Sequence, residues 1–292
     1  MEIIRHRAYA RAGMVGNPSD GCDGRTISAI IRNFSAQVVL YEWDQLEIVP
    51  TFQDESRFRS IRELAMDVEH HGYYGGIRLI KATIRKFYDY CVRRKIPLHD
   101  RNFSVRYQSD IPRQVGLAGS SAIIVATLRC LMDFYHVFIP REVQPSLVLS
   151  VETEELRLSA GLQDRVIQVY EGVVSMNFET QAMYEIDGFR CGAYEPIDPT
   201  LLPPMYLAYG LKIPKSIQMG TRSLIERYRE GNSEVLAAVE GLKQCAVTAR
   251  TAILSGDISE LERMIDAGFE WRRRIVPIRV RKYRRKEWRF SP

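Results

Sequence analysis

Residues Ile111 to Ala122, reading Ile-Pro-Arg-Gln-Val-Gly-Leu-Ala-Gly-Ser-Ser-Ala, constrain this chain more than any other stretch. They run straight into the apolar segment Ile123-Ile124-Val125-Ala126-Thr127-Leu128, which has the character of a buried helix. Glycine opens backbone angles closed to other residues, so a loop rich in Gly, Ala and Ser can wrap closely round a ligand with its N–H groups turned inward. The helix that follows presents unpaired N–H donors and the positive end of its dipole, which together favour an anion. Two readings fit the residues alone. One is a phosphate cradle with Ser120 and Ser121 offering hydroxyls to a phosphate or its metal. The other is a flexible turn before a serine-capped helix. The spacing G-x-x-x-x-G-K-[ST] is absent, and no lysine lies between Gly116 and the end of that helix. Gly119-Ser120-Ser121-Ala122-Ile123 also lacks the second glycine of G-x-S-x-G, so a hydrolase elbow is excluded.

The chain has 292 residues, 46% of them hydrophobic, enough to bury a substantial core as one large domain or two smaller ones. Its five cysteines are scattered, odd in number and free of C-x-x-C spacing, which argues against a zinc site or a disulfide framework and for reduced thiols in the cytoplasm. The sequence shows neither a signal-peptide core nor a membrane-spanning apolar run. The net charge of +5 is uneven. Residues 272–292 hold ten Lys/Arg and one acidic residue, whereas residues 1–271 hold 31 basic and 35 acidic residues. Such a tail can attract nucleic acid, but no nucleic-acid-binding fold precedes it, and it reads as a solvated, disordered end.

Periodicity predicts strands over Gln37–Glu42 and Leu46–Val49, paired through Trp43-Asp44-Gln45, and further strands over 102–107, 172–178 and 205–209. Helical spacing covers 76–94, 120–136, 142–157, 219–229, 233–254 and 257–273. Strands mixed with helices, without strict βαβ alternation, imply an α+β fold. Pro196, Pro199, Pro203 and Pro204 place a boundary near 195–205.

The pattern P-x-x-x-G-L-x-G-S-S-A resembles the phosphate-binding motif of the GHMP kinases, in the longer form of their sugar-1-kinase branch. Ala10-Arg11-Ala12-Gly13-Met14-Val15-Gly16-Asn17-Pro18-Ser19-Asp20-Gly21 is similar to the family's N-terminal substrate motif. Ser159-Ala160-Gly161-Leu162-Gln163-Asp164-Arg165 resembles the segment with the family's catalytic aspartate. Three motifs in family order, over roughly residues 5–274, imply a two-domain GHMP-kinase-like α+β fold. Within it, 1–198 would be the N-terminal domain, 199–274 the helical part of a C-terminal domain, and 275–292 the basic tail. The third, glycine-rich motif of the family has no counterpart before Pro292, so the expectation is an incomplete C-terminal domain and impaired catalysis.

The resemblance implies an ATP- and Mg²⁺-dependent kinase acting on a small-molecule sugar, glucuronate above all, with fucose or a heptose as alternatives. A catalytically silent sugar- or nucleotide-binding protein is the other reading. By resemblance, Asp164 orients or deprotonates the acceptor hydroxyl, and Arg11 steadies developing charge beside it. From the residues alone, Asp164 could equally be a helix N-cap and Arg11 a surface ion pair. Gly116, Leu117, Ala118, Gly119, Ser120, Ser121 and Ala122 would hold the phosphates. Ser120 or Ser121 would bind Mg²⁺ with Glu152, whose plain alternative is an exposed helix carboxylate. Asn17 and Asp20 stand at the sugar-contacting positions. A uronic acid needs a cation for its carboxylate, and Arg25, Arg113 and Arg165 are the candidates. His70-His71-Gly72-Tyr73-Tyr74-Gly75-Gly76 would border adenine or sugar, and adjacent histidines diverge too much to share a metal.

Overall fold

The longest run of extended backbone sits at the N-terminal end, where Ile3–Val15 (β1) pairs antiparallel with Arg25–Trp43 (β2). In the computed structural model, which describes residues 3–50, 75–113, 115–209 and 224–276, β2 is the spine of a six-stranded sheet. One edge of β2 carries β1 along most of its length. The other carries Asn102–Ser109 (β4) beside residues 36–43 and Val173–Asn177 (β5) beside residues 25–29. Glu47–Ile48 (β3) extends the sheet beyond β4, and Ala193–Ile197 (β8) extends it beyond β5. Tyr184–Ile186 (β6) and Phe189–Cys191 (β7) form a separate hairpin.

Both sides of the sheet are covered, as the alternation of β5 makes plain. Val174 and Met176 face Val166 and Ile167 of Gln163–Tyr170 (α4). Val173 points the other way, with Val15, Ile27 and Ile197, into Cys245, Ala246, Ala249 and Ile253 of Ser233–Ser255 (α5). On the α4 side, Gly76–Arg93 (α1), Gly119–Tyr135 (α2) and Gln144–Ser150 (α3) complete the main core. Helix α1 buries Leu79, Ile80, Thr83, Phe87, Tyr90 and Cys91, the spacing of a single helical face. Helix α2 lies on β1 and β2, where the small Ala8, Ala10 and Ala36 let it approach closely. Each fully buried Ile124, Leu131 or Leu147 contributes about 1.5–3 kcal/mol relative to an exposed one.

On the opposite side, α5 and Ile258–Ile275 (α6) form a helical hairpin with strong punctuation. Asn232 accepts from the Val235 N–H, Gly256 adopts the left-handed conformation at the C-terminus, and Asp257 accepts from the Glu260 N–H to start the next helix. Among the described residues no helix is long and apolar enough to cross a membrane.

The α+β reading holds, with four corrections to local expectations. Leu46–Val49 does not form a hairpin with 37–42, because Glu47–Ile48 runs parallel to β4, opposite Ser104 and Val105. Residues 205–209 are not a strand; Met205 and Tyr206 are exposed and enter no ladder among the described residues. The helix expected over 142–157 changes character at Val151, where Val151–Glu155 forms a π turn closed by the Leu156 N–H on the Val151 carbonyl. The fourth is an omission, since no element is expected over β1 or the first half of β2, long strands whose motif residues mask any two-residue period. The segment from His70 to Tyr74, residues 219–223 and the tail from Pro277 lie outside the described residues.

Candidate active site

The glycine-rich loop ends where α2 begins. Gly116 holds φ +78°, a conformation that L side chains rarely adopt, and Ala118 enters the helix from the left-handed region at φ +60°. Neither serine caps the helix. Ser121 is fully buried and its Oγ donates back to the Ala118 carbonyl at 3.2 Å. Ser120 turns outward from the helix axis and donates to Glu152 Oε1 at 2.8 Å. The first amides of α2 are therefore left without a side-chain cap, as an anion site requires.

Two side chains from distant parts of the sequence brace this loop. Gln168 Nε2 donates to the Ala118 carbonyl at 2.8 Å and to the Tyr9 carbonyl at 3.1 Å. Arg11 donates from Nη1 to the Gly116 carbonyl at 2.9 Å, while its own backbone N–H reaches Leu117 O at 3.3 Å. The same guanidinium donates from Nε to Asp164 Oδ1 at 2.6 Å. Strand β1 thus holds the loop on one side and the carboxylate of α4 on the other. Asp164 is the second residue of α4 and caps nothing, since Leu162 occupies the cap position. Its side chain keeps 20% exposure against 14% for Arg11, so the carboxylate remains reachable from solvent.

Behind Asp164 lies a buried pair. Glu152, set on the π turn, and Arg165 are 4% and 5% exposed at their side chains. Arg165 donates from Nε to Glu152 Oε2 at 2.9 Å, a second nitrogen reaches the same oxygen, and Nη1 donates to the Gly161 carbonyl at 2.8 Å. Asp164 Oδ2 stands 3.4 Å from the same guanidinium. Burial alone would lower the Arg165 pKa, but Glu152 and then Asp164 more than offset it and hold it above the ordinary value. Glu152 is therefore not the exposed helix carboxylate of the plain alternative. Contacts run without a break from Ser120 through Glu152 and Arg165 to Asp164.

The turn after β1 joins the same cluster through Gln163. Asn17 Nδ2 donates to Gln163 Oε1 at 2.8 Å, Gln163 Nε2 donates to Ser28 Oγ at 2.7 Å, and the Gln163 N–H donates to Asp20 Oδ2 at 3.2 Å. A Cβ on Gly161 would run into the Asp20 carboxylate, which accounts for a glycine there. Burial first, and then the charge of Asp164, push the Asp20 pKa above the usual aspartate value.

The sequence-predicted residues Arg11, Asn17, Asp20, Ser120, Glu152, Asp164 and Arg165 thus converge on one cluster. Arg25 does not join it: its Nε donates to Glu179 Oε2 at 2.6 Å, an oxygen pair it shares with Lys243. Arg113 is exposed on the approach to the loop. Gln163 and Gln168 were missed. Gln168 lies one helical turn beyond Asp164 on the same face of α4, and that i, i+4 relation was the available signal.

The fold and the relatives of this chain define a small-molecule kinase. Residues 78–172 match the GHMP kinases N terminal domain, and the chain belongs to the GHMP kinase family. Its relatives include Glucuronokinase 1 of Arabidopsis thaliana, 42% identical over 275 residues that span 93% of this chain and 75% of that one. Among solved structures, the Streptococcus pneumoniae phosphomevalonate kinase in complex with phosphomevalonate and AMPPNP has a TM-score of 0.66 at 14% identity, over 94% of this chain and 81% of that one. Lactococcus lactis galactokinase complexed with galactose also gives 0.66, at 12% identity over 93% and 75%. At such identities the two structures speak for the fold.

Proposed function

We propose that the protein is an ATP-dependent sugar-1-kinase that phosphorylates glucuronate at its anomeric hydroxyl, giving glucuronate 1-phosphate and ADP. The observation that carries this reading is the double engagement of Arg11, which ties the Gly116 loop, read here as the phosphate site, to Asp164, read here as the acceptor carboxylate.

The free amides of the loop and of the first turn of α2 receive the phosphates of the donor. The residues also fit Mg²⁺, because Ser120 Oγ and Glu152 Oε1 are hard oxygens 2.8 Å apart beside that turn, and the ion favours few protein ligands and a partly hydrated shell. Ser120 and Glu152 would hold it, whereas the Ser121 hydroxyl is committed to Ala118. The metal's contribution is to disperse charge over the transferring phosphoryl group.

Asp164 accepts the proton of the sugar hydroxyl as that oxygen bonds to the γ-phosphorus and the bond to the ADP oxygen breaks. Arg11 aims the carboxylate and offsets negative charge gathering between acceptor and donor. Arg165 is a positioning residue in this reading, since its guanidinium is spent on Glu152, Gly161 and Asp164 rather than on sugar. Asn17 and Asp20, fixed through Gln163, present the amide and carboxyl atoms suited to sugar hydroxyls. Five unpaired, buried cysteines suit a reducing compartment, and we place the enzyme in the cytoplasm.

The test is ADP release by the purified chain with ATP, Mg²⁺ and a panel of glucuronate, galacturonate, glucose, galactose and fucose. Glucuronate should give the highest kcat/KM. Background release with glucuronate, from protein shown to be folded, overturns the reading.

A further inference from the structure

Three consecutive arginines near the end of α6 meet three different fates. Arg273 pairs with Glu270 at 2.6 Å, and Arg274 stacks on the Trp271 ring at 4.3 Å from its centroid. Arg272 turns inward. It lies one helical turn beyond Gly268, on the helix face turned to β1, where a Cβ added at Gly268 would lie 3.8 Å from Val15, and its Nε is buried without a hydrogen-bond partner. No carboxylate among the described residues pairs with it. Burial and then the neighbouring charge of Arg11 both press its pKa below the ordinary arginine value, so the charged form is doubly disfavoured as the molecule stands.

A guanidinium carries five donors and no acceptor, and burying it beside another cation without an anion is costly. The cost is recovered when a ligand brings the anion. Arg11 already has Asp164, and Arg165 has Glu152, whereas Arg272, near Arg11, keeps its Nε unspent among the described residues. Two oxyanions come to this site, the donor's phosphates and the acceptor's carboxylate. Val15, on which α6 is seated, leads directly into the Asn17–Asp20 turn assigned to the sugar. The phosphate loop is held instead by α4 and by residues 9–11 of β1.

Building on the kinase reading above, we infer that Arg272 is the specificity residue of the acceptor pocket, receiving the carboxylate of a sugar acid on its inward-facing guanidinium. Of the arginines weighed from the sequence for this role, Arg25 and Arg165 are occupied elsewhere, and Arg113 is exposed on the approach to the loop.

Calorimetric titration of the whole chain with glucuronate, and separately with Mg²⁺ and a non-hydrolysable ATP analogue, tests this on wild type, R272Q and R272K. R272Q should weaken glucuronate binding about tenfold or more, the effect of losing a charged hydrogen-bonded pair, and leave affinity for the analogue within about twofold. R272K keeps the charge but loses the planar fork, so its glucuronate affinity should fall between the two. Retained analogue binding certifies folding; should R272Q not fold, the lysine variant decides, and wild-type glucuronate affinity in it overturns the inference. Unchanged glucuronate affinity in R272Q, no glucuronate binding by wild type, or a loss confined to the analogue overturns it as well, the last by placing the guanidinium on phosphate. The two proposals fail separately. Glucuronate bound through Arg272 without phosphoryl transfer sinks only the kinase reading, whereas brisk phosphorylation of glucuronate with an unmoved KM in R272Q sinks only the role of Arg272.

Discussion

Arg11 and Asp164, 153 residues apart in the chain, are joined by a 2.6 Å hydrogen bond from guanidinium Nε to carboxylate oxygen. The second contact of Arg11, to the Gly116 carbonyl, makes that bond part of a clamp between β1, the glycine-rich loop and α4. A displacement of any of the three elements is felt by the other two, and geometry this shared is what an in-line transfer needs.

Replacing Asp164 with Asn keeps size and shape while removing the proton acceptor. We expect kcat to fall about 10²- to 10⁴-fold with the KM for ATP almost unmoved, because the loop's amides are untouched. Steady-state kinetics with both substrates varied provides the check. Full activity in this variant would remove the role assigned to Asp164.

Glu152→Gln strips the nearer of two carboxylates from a guanidinium only 5% exposed at its side chain. Asp164, 3.4 Å from the guanidinium, offsets the remaining charge only in part, so the cost should approach but not reach the ~3–5 kcal/mol of an unpaired buried ion, and the urea midpoint should drop. The Mg²⁺ concentration for half-maximal activity should rise in parallel. Pairing the change with Arg165→Met should restore part of the stability, since the stranded cation goes with it. Equal stability of the single variant and wild type would contradict the buried-pair account.

Gly161→Ala places a methyl group against the Asp20 carboxylate. Overpacking of this kind costs about 1–3 kcal/mol and would move Asp20 away from the Gln163 amide. The expected signature is a higher KM for the sugar and a lower melting temperature. A silent substitution would show that the turn tolerates displacement.

Asp20 provides a pH test whose sign is fixed. Burial and Asp164 raise its folded-state pKa above the unfolded one, so its contribution to stability is full at pH values below an ordinary aspartate's pKa and is lost as pH rises through the folded value. Asp20→Asn should therefore be more stable than wild type at neutral pH, and that advantage should vanish in acid. Denaturant midpoints of the two proteins across pH provide the measurement. An advantage independent of pH would assign the effect to packing.

The glycine-rich loop is the most legible part of the chain because its information is local: glycines, small residues and an apolar helix follow one another without interruption. The meeting of Arg11, Glu152 and Asp164 rested on family resemblance, since no periodicity joins residue 11 to residue 164. The β3 pairing was misjudged because a short apolar run shows its strand character but not its partner, and β4 lies more than fifty residues away in sequence. The π turn that delivers Glu152 left no trace in a helical pattern that continues through it. Arg272 was counted with a basic tail, since a sum of charges does not reveal which of three adjacent arginines faces inward.

Phosphorus NMR of a mixture of the chain, ATP, Mg²⁺ and glucuronate tests the central claim most directly, because it reports where the phosphate goes. The account expects ATP to give way to ADP and a sugar phosphate whose phosphorus couples to the proton at C1. Release of inorganic phosphate alone, or a phosphate on any other carbon, would contradict it.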